Sequence, residues 1–141
     1  MTRDLTANSY AVLAVLDALG GGSSYDLKGA AQSKLSSFWT LSHATAYEEP
    51  LRLERLGYLR SRAEDSGRRR RNFELTQSGR AVLREWLESP AVEPTRLYDE
   101  AWLKAFAKGD EAGMQERVDA CGHLLGIALE AALRGQRAER K

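Results

Sequence analysis

Residues 41–76 read LSHATAYEEPLRLERLGYLRSRAEDSGRRRRNFELT, and their order decides the fold. Ser42 is a good helix N-cap, because its hydroxyl can accept one of the first unpaired N–H groups of a helix. After it, Ala46, Pro50, Leu53 and Gly57 recur at helical spacing and define an inward face. Thr45, Glu48, Arg52 and Arg55 stand on the opposite face. Gly57 suits the left-handed position that ends a helix. Pro50 removes one helical N–H, so a bend is predicted there. Residues 58–62 and 72–76 suit strands, with Phe73 and Leu75 sharing one face. The polar turn between them ends in Arg68, Arg69, Arg70 and Arg71.

A capped helix followed by a hairpin with a cationic tip is a winged helix-turn-helix in outline. Such a unit docks with the helix in the major groove and the hairpin on the backbone of double-stranded DNA. The chain around it agrees. Val12, Val15, Leu16 and Leu19 give the core stripe of a first helix over residues 8–19, stopped by Gly20-Gly21-Gly22. No Gly-Lys-Ser/Thr follows those glycines, so they read as a turn and not as a phosphate loop. Ser24 is predicted to cap a second helix that faces inward through Leu27, Ala30, Ala31 and Leu35, with Trp39 in the core after it. Thr76 caps a fourth helix with Val82, Leu83, Trp86 and Leu87 as its buried stripe.

Composition narrows the function classes. Of 141 residues, 43% are hydrophobic, enough for a core, and the net charge of +1 advertises no global affinity for nucleic acid. The distribution of charge is more telling. Residues 43–80 carry nine arginines against six acidic side chains, while residues 1–42 and 96–141 each balance. Positive charge therefore collects on the helix and hairpin, the footprint sought in a DNA binder. The lone Cys121 rules out an internal disulfide and a cysteine-rich metal site. His43 and His123 lack partners at ligand spacing, and no nucleophile and base stand in a catalytic arrangement, so no metal, cofactor or enzyme activity is predicted. Residues 10–19 are too short to span a bilayer and contain Asp17; a cytoplasmic location without membrane contact is the expectation.

Pro90 and Pro94 bound a connector. The predicted organisation is a DNA-binding domain over 1–88, a linker over 89–95 and a helical segment over 96–141. The fold class is thus mainly α with one small β-hairpin, an N-terminal winged helix-turn-helix joined to a C-terminal helical dimerisation segment. In that segment Tyr98, Trp102, Ala105 and Phe106 line one face of a first helix. Met114, Val118, Cys121, Leu125, Ala128 and Ala132 follow at alternating spacings of four and three, the seam of a coiled-coil-like contact. Leu124, Leu129 and Leu133 widen it beyond what one small domain needs, which points to a homodimer.

The sequence also resembles the PadR family of bacterial transcriptional regulators. The resemblance rests on residues 9–13 (SYAVL), residues 24–28 (SYDLK), Phe38-Trp39, Tyr47, Leu53-Glu54 and Gly57. It rests further on Gly67-Arg68 and the run from Phe73 through Leu75-Thr76 and Gly79-Arg80 to Trp86-Leu87. Pro50 departs from it, standing where the family tends to have leucine. The resemblance implies a repressor that answers to a small hydrophobic or aromatic effector. Tyr98, Trp102 and Phe106 are the candidates to line its pocket, the alternative being that they are interface core. Expected DNA contacts are Ser42, His43, Thr45, Tyr47, Glu48, Arg52 and Arg55 on the helix and Arg68 to Arg71 on the wing. Arg52 can read guanine, Glu48 can accept from cytosine and Thr45 can meet a thymine methyl. A winged-helix adaptor for protein partners is the competing class; it needs the seam but not the arginines.

Overall fold

A computed structural model describes residues 4–36, 38–65, 70–94 and 98–139. The described residues form six helices and one antiparallel pair of strands. They fall into two compact units, Met1–Pro90 and Ala91–Lys141.

The first unit is built on α1 (Ala7–Leu19), α2 (Ser24–Lys34), α3 (His43–Arg55), β1 (Leu59–Ala63), β2 (Arg71–Leu75) and α4 (Gln77–Glu88). Each helix starts at a hydroxyl cap. Thr6 with Ser9, and Ser23 with Asp26, form reciprocal capping boxes, while Ser42 and Thr76 accept from Thr45 N and Gly79 N. The cap of α2 is therefore Ser23 and not the predicted Ser24, since Asp26 three residues on completes the box with Ser23. Hydrogen bonds from the Ser23 backbone and hydroxyl hold the Asp26 carboxyl below its ordinary value.

Val12, Leu13, Leu16, Leu27, Ala46 and Leu53 are fully excluded from solvent and pack with Tyr10, Leu59, Phe73, Leu75 and Leu83. Each such large side chain contributes about 1.5–3 kcal/mol by leaving water. Trp86 of α4 stacks on Tyr10 of α1 with ring centroids 4.8 Å apart. Several expected core positions lie outside this cluster. Leu19 is 39% exposed at the end of α1, and Leu87 is 66% exposed near the end of α4. Both lie on the predicted stripes but beyond the neighbours that would cover them. Trp39 is 37% exposed; it sits at the rim with its indole N–H donating to Asn8 Oδ1.

The hairpin pairs Leu59 with Leu75 through Ala63 with Arg71. Gly22 adds a further bridge, exchanging backbone hydrogen bonds with Phe73 at 2.8 and 2.9 Å. The glycine turn after α1 thus docks against the wing. Gly57 has a φ of +84° and lies on the surface, so it ends α3 as expected but does not belong to its buried face. A Cβ at Gly79 would collide with the Tyr58 carbonyl oxygen. Helix α4 therefore crosses the start of the wing at a glycine. Thr76 ties the same corner by donating to the Gly57 carbonyl at 2.7 Å.

The second unit is the pair α5 (Glu100–Lys108) and α6 (Glu111–Glu139). Asp99 caps α5 by accepting from Trp102 N at 2.7 Å, and Arg117 of α6 pairs with the same carboxylate. Cys121 donates its thiol to Asp99 across 3.5 Å. Ala105 is the buried contact of α5. No helix among the described residues is long and apolar enough to cross a membrane.

Candidate nucleic-acid interface

Helix α3 runs through Pro50, whose ring is fully buried together with Ala46 and Leu53. With that face inside, the helix period turns Ala44, Glu48, Leu51 and Arg55 outward, and all four are exposed. Ser42 and His43 are exposed at its start. Thr45 is half-buried, and the hydroxyl of Ser42 donates to it.

The two flanks of α3 are occupied differently. Toward α1, Glu49 accepts from the buried Ser9 hydroxyl at 2.7 Å and from Arg52 at 2.8 and 3.0 Å. Burial alone would push the Glu49 carboxyl up, but the hydrogen bonds from Arg52 and Ser9 outweigh it and hold the group below its ordinary value. Hydrogen bonding to Glu49 in turn raises Arg52. Arg52 does not stand on the outward face beside Glu48 and Arg55, as its spacing suggested; its guanidinium is turned to α1.

Toward α2 and the wing, His43 stacks on Tyr47 with centroids 4.5 Å apart. Lys28 of α2 lies with Nζ 3.0 Å from His43 Nδ1. A lysine ammonium can only donate, so in this contact the ring nitrogen is the acceptor. Further along, Glu54 receives Ser61 Oγ of β1 and Arg71 of β2. Arg70 lies over the ring of Tyr25 at 5.0 Å, a cation–π contact that orients the guanidinium. Tyr25, Tyr47, Leu51, Arg70 and Arg71 line one open cleft of about 360 Å³. Helix α3, the start of α2 and the tip end of the hairpin therefore share one surface. Arg68 and Arg69 lie outside the described residues.

Sequence reasoning gave Ser9, Lys28 and Glu54 no pairing role, and read Glu49 beside Glu48 only as a carboxylate that repels phosphate. Most of these contacts join elements that only the fold brings together, Ser9 and Glu49 being forty positions apart and Lys28 and His43 fifteen. Tyr25 stood in a quoted motif without a role.

Comparison with known proteins decides what this surface belongs to. The model of the transcriptional regulator PadR-like family matches residues 12–85, just over half of the chain.

The chain belongs to the PadR-like family.

That family is one of transcriptional regulators, not enzymes. A relative, the negative transcriptional regulator PadR of Bacillus subtilis strain 168, is 31% identical over 99 residues, 69% of this chain and 54% of the relative. The chain spans about half the length of that curated relative. Two solved structures share the fold. Bacillus subtilis PadR in complex with operator DNA superposes with a TM-score of 0.68 at 22% identity, covering 97% of this chain and 94% of that one. The same protein in complex with p-coumaric acid gives 0.58 at 24% identity, covering 98% and 92%. Within this PadR-like chain, the matched segment contains α2, α3, the hairpin and most of α4.

The residues proposed for an effector are arranged loosely within the second unit. Tyr98 precedes α5 and is 86% exposed, Phe106 is 68% exposed, and Trp102 is half-buried. On α6, Leu125 is 57% exposed and Val118 41%, whereas Met114, Cys121, Ala128 and Ala132 are half-buried. No group of three metal-ligating side chains occurs among the described residues.

Proposed function

We propose that this chain is a transcriptional repressor that binds double-stranded DNA as a homodimer on an inverted repeat and is released by a small hydrophobic or aromatic effector. One observation carries the DNA part. Tyr47 and Leu51 on the exposed side of α3, the start of α2 and Arg70 and Arg71 at the tip end of the wing border a single cleft. A helix in the major groove then has cationic groups beside it for the flanking phosphates. Ser42, His43, Thr45, Tyr47, Glu48 and Arg55 form the reading edge, and Arg68 to Arg71 form the backbone contact. Glu48 repels phosphate, so it serves discrimination between bases over raw affinity. Arg52, held by Glu49 and Ser9, fits the task of fixing the helix better than that of touching a base.

The dimer is supported by the apolar surface of α6, where Leu124, Leu125, Ile127, Leu129 and Leu133 are each more than half exposed. A lone soluble helix pair does not leave such a stripe in water without reason. The effector part is supported by relationship: the Bacillus subtilis protein was crystallised with p-coumaric acid. Tyr98, Trp102 and Phe106 are the aromatic groups available in the second unit for a planar ligand. Trp102→Ala is expected to abolish both the fluorescence quenching by such a compound and its effect on operator binding. The DNA reading is tested by titrating the protein against duplexes selected from a random library and against scrambled duplexes at several salt concentrations. A protein without a preferred duplex is not a sequence-specific regulator.

A further inference from the structure

Glu54 lies on the last turn of α3 with 29% of its side chain exposed, and both of its carboxylate oxygens face the hairpin. Ser61 Oγ of β1 donates to Oε1 at 2.5 Å, and Arg71 Nη1 of β2 lies 3.4 Å from Oε2. In the ladder Ser61 pairs with Phe73 and Arg71 with Ala63. One side chain of the reading helix thus holds both strands of the wing. The root of the wing has its own anchors, Tyr58 N to the Leu53 carbonyl at 2.9 Å and Thr76 N to the Tyr58 carbonyl at 3.1 Å. Glu54 acts further out, toward the arginine-bearing tip. A two-stranded hairpin is only marginally stable by itself; Gly22 holds β2 at Phe73, on the rung of Ser61, and Glu54 adds the tie from α3 that bears on where the tip points.

We propose that Glu54 is a positioning residue that sets the angle of the wing against α3, so that helix and wing engage DNA in one register. The proposal rests on the DNA-binding reading and adds a role to it. Its sign makes it sharp. A carboxylate among arginines that meet phosphate opposes binding by simple Coulomb repulsion. Removing it frees Arg71, so electrostatics alone tightens the complex with every duplex. Loss of a positioning contact does the opposite on the preferred duplex, because the wing then reaches its phosphates only at the cost of being reordered.

The experiment compares full-length parent, Glu54→Ala, Glu54→Gln and Ser61→Ala on a selected duplex and on a scrambled one, with thermal unfolding measured alongside. Glu54→Ala is expected to weaken the selected complex roughly tenfold, the size of one lost base-pair match, while scrambled binding stays level or tightens. Glu54→Gln keeps an amide oxygen for Ser61 and should fall between parent and Glu54→Ala. Ser61→Ala should weaken the selected complex without removing any charge. A role confined to stability would lower the unfolding temperature and leave the ratio of selected to scrambled affinity unchanged, which overturns the proposal. Equal tightening on both duplexes overturns it as well. If Glu54→Ala fails to fold, the Ser61→Ala and Glu54→Gln ratios decide in the same way. A parent with no preferred duplex overturns the DNA-binding reading, and this proposal with it; a parent with a clear preference isolates any failure to Glu54.

Discussion

Arg52 lies across Glu49, its Nη2 2.8 Å from Oε1 and its Nε 3.0 Å from Oε2, and the pair closes on the buried hydroxyl of Ser9 at 3.1 and 2.7 Å. Helix α3 is thereby latched to α1 by a network in which both Glu49 oxygens are bonded. Arg52→Ala removes two of the donors to a largely buried carboxylate. It is expected to cost about 1–3 kcal/mol of stability and to weaken selected and scrambled duplexes by the same factor. Thermal denaturation with parallel duplex titrations checks this. A variant that keeps parental stability but loses discrimination at one base pair would return Arg52 to a base-reading role.

The wing makes a different prediction. Arg69→Ala with Arg70→Ala removes cationic groups expected at phosphate, so affinity should fall on all sequences alike. The slope of log affinity against log salt should become shallower by about 1 per lost contact in each subunit. An unchanged slope and affinity would make the run a solvated surface and favour the adaptor alternative.

For the dimer, Leu125→Glu is the cleanest probe, since the side chain is 57% exposed within one chain. The protomer should fold normally, while a dimer would have to bury a charge without a partner. Light scattering should report a monomer. Persistence of the parental mass would place the interface elsewhere.

Acid should act on the second unit through Asp99. Hydrogen bonds from Arg117, then from the Trp102 backbone, hold its carboxyl down from 3.8 to about 2. A folded value below the unfolded one means the contribution is complete above the unfolded value and is lost as pH falls through the folded value. The cap of α5 and its tie to Arg117 should therefore weaken between pH 3.8 and about 2. Carboxyl NMR should find the Asp99 midpoint near the lower figure, and Arg117→Ala should move it back toward the ordinary range. A midpoint in the parent near that of an exposed aspartate would remove the ion pair from the account.

Gly79→Ala tests the corner where α4 crosses the wing. The added methyl meets the Tyr58 carbonyl oxygen, and relief requires moving backbone. A loss of about 1–3 kcal/mol is expected, the range for overpacking, although alanine is the better helix former. Calorimetry that shows gained stability would mean the crossing is looser than described.

Much of this protein was legible before any fold was known, because the deciding signals act over a few residues. The Ser42 cap, the Gly57 stop, the spacing of Ala46, Pro50 and Leu53, and the alternation of Phe73 and Leu75 are each local. Each corresponds to an observed feature of α3 and the hairpin. The collection of arginines between residues 43 and 80 was likewise visible without any coordinates. What the sequence alone left undetermined was cover and partnership. A helical period tells which side chains share a direction, not how far the neighbours extend, so Leu19 and Leu87 lay on correct stripes and still emerged into water. Charge spacing placed Arg52 beside Arg55, but α1 offered it a buried hydroxyl and a carboxylate, and the guanidinium turned inward. Glu54 could be seen as a surface carboxylate; only the folding of β1 and β2 back over α3 brought Ser61 and Arg71 to it. Those pairings depend on distances through space between residues that the chain keeps apart, and tertiary packing alone sets them.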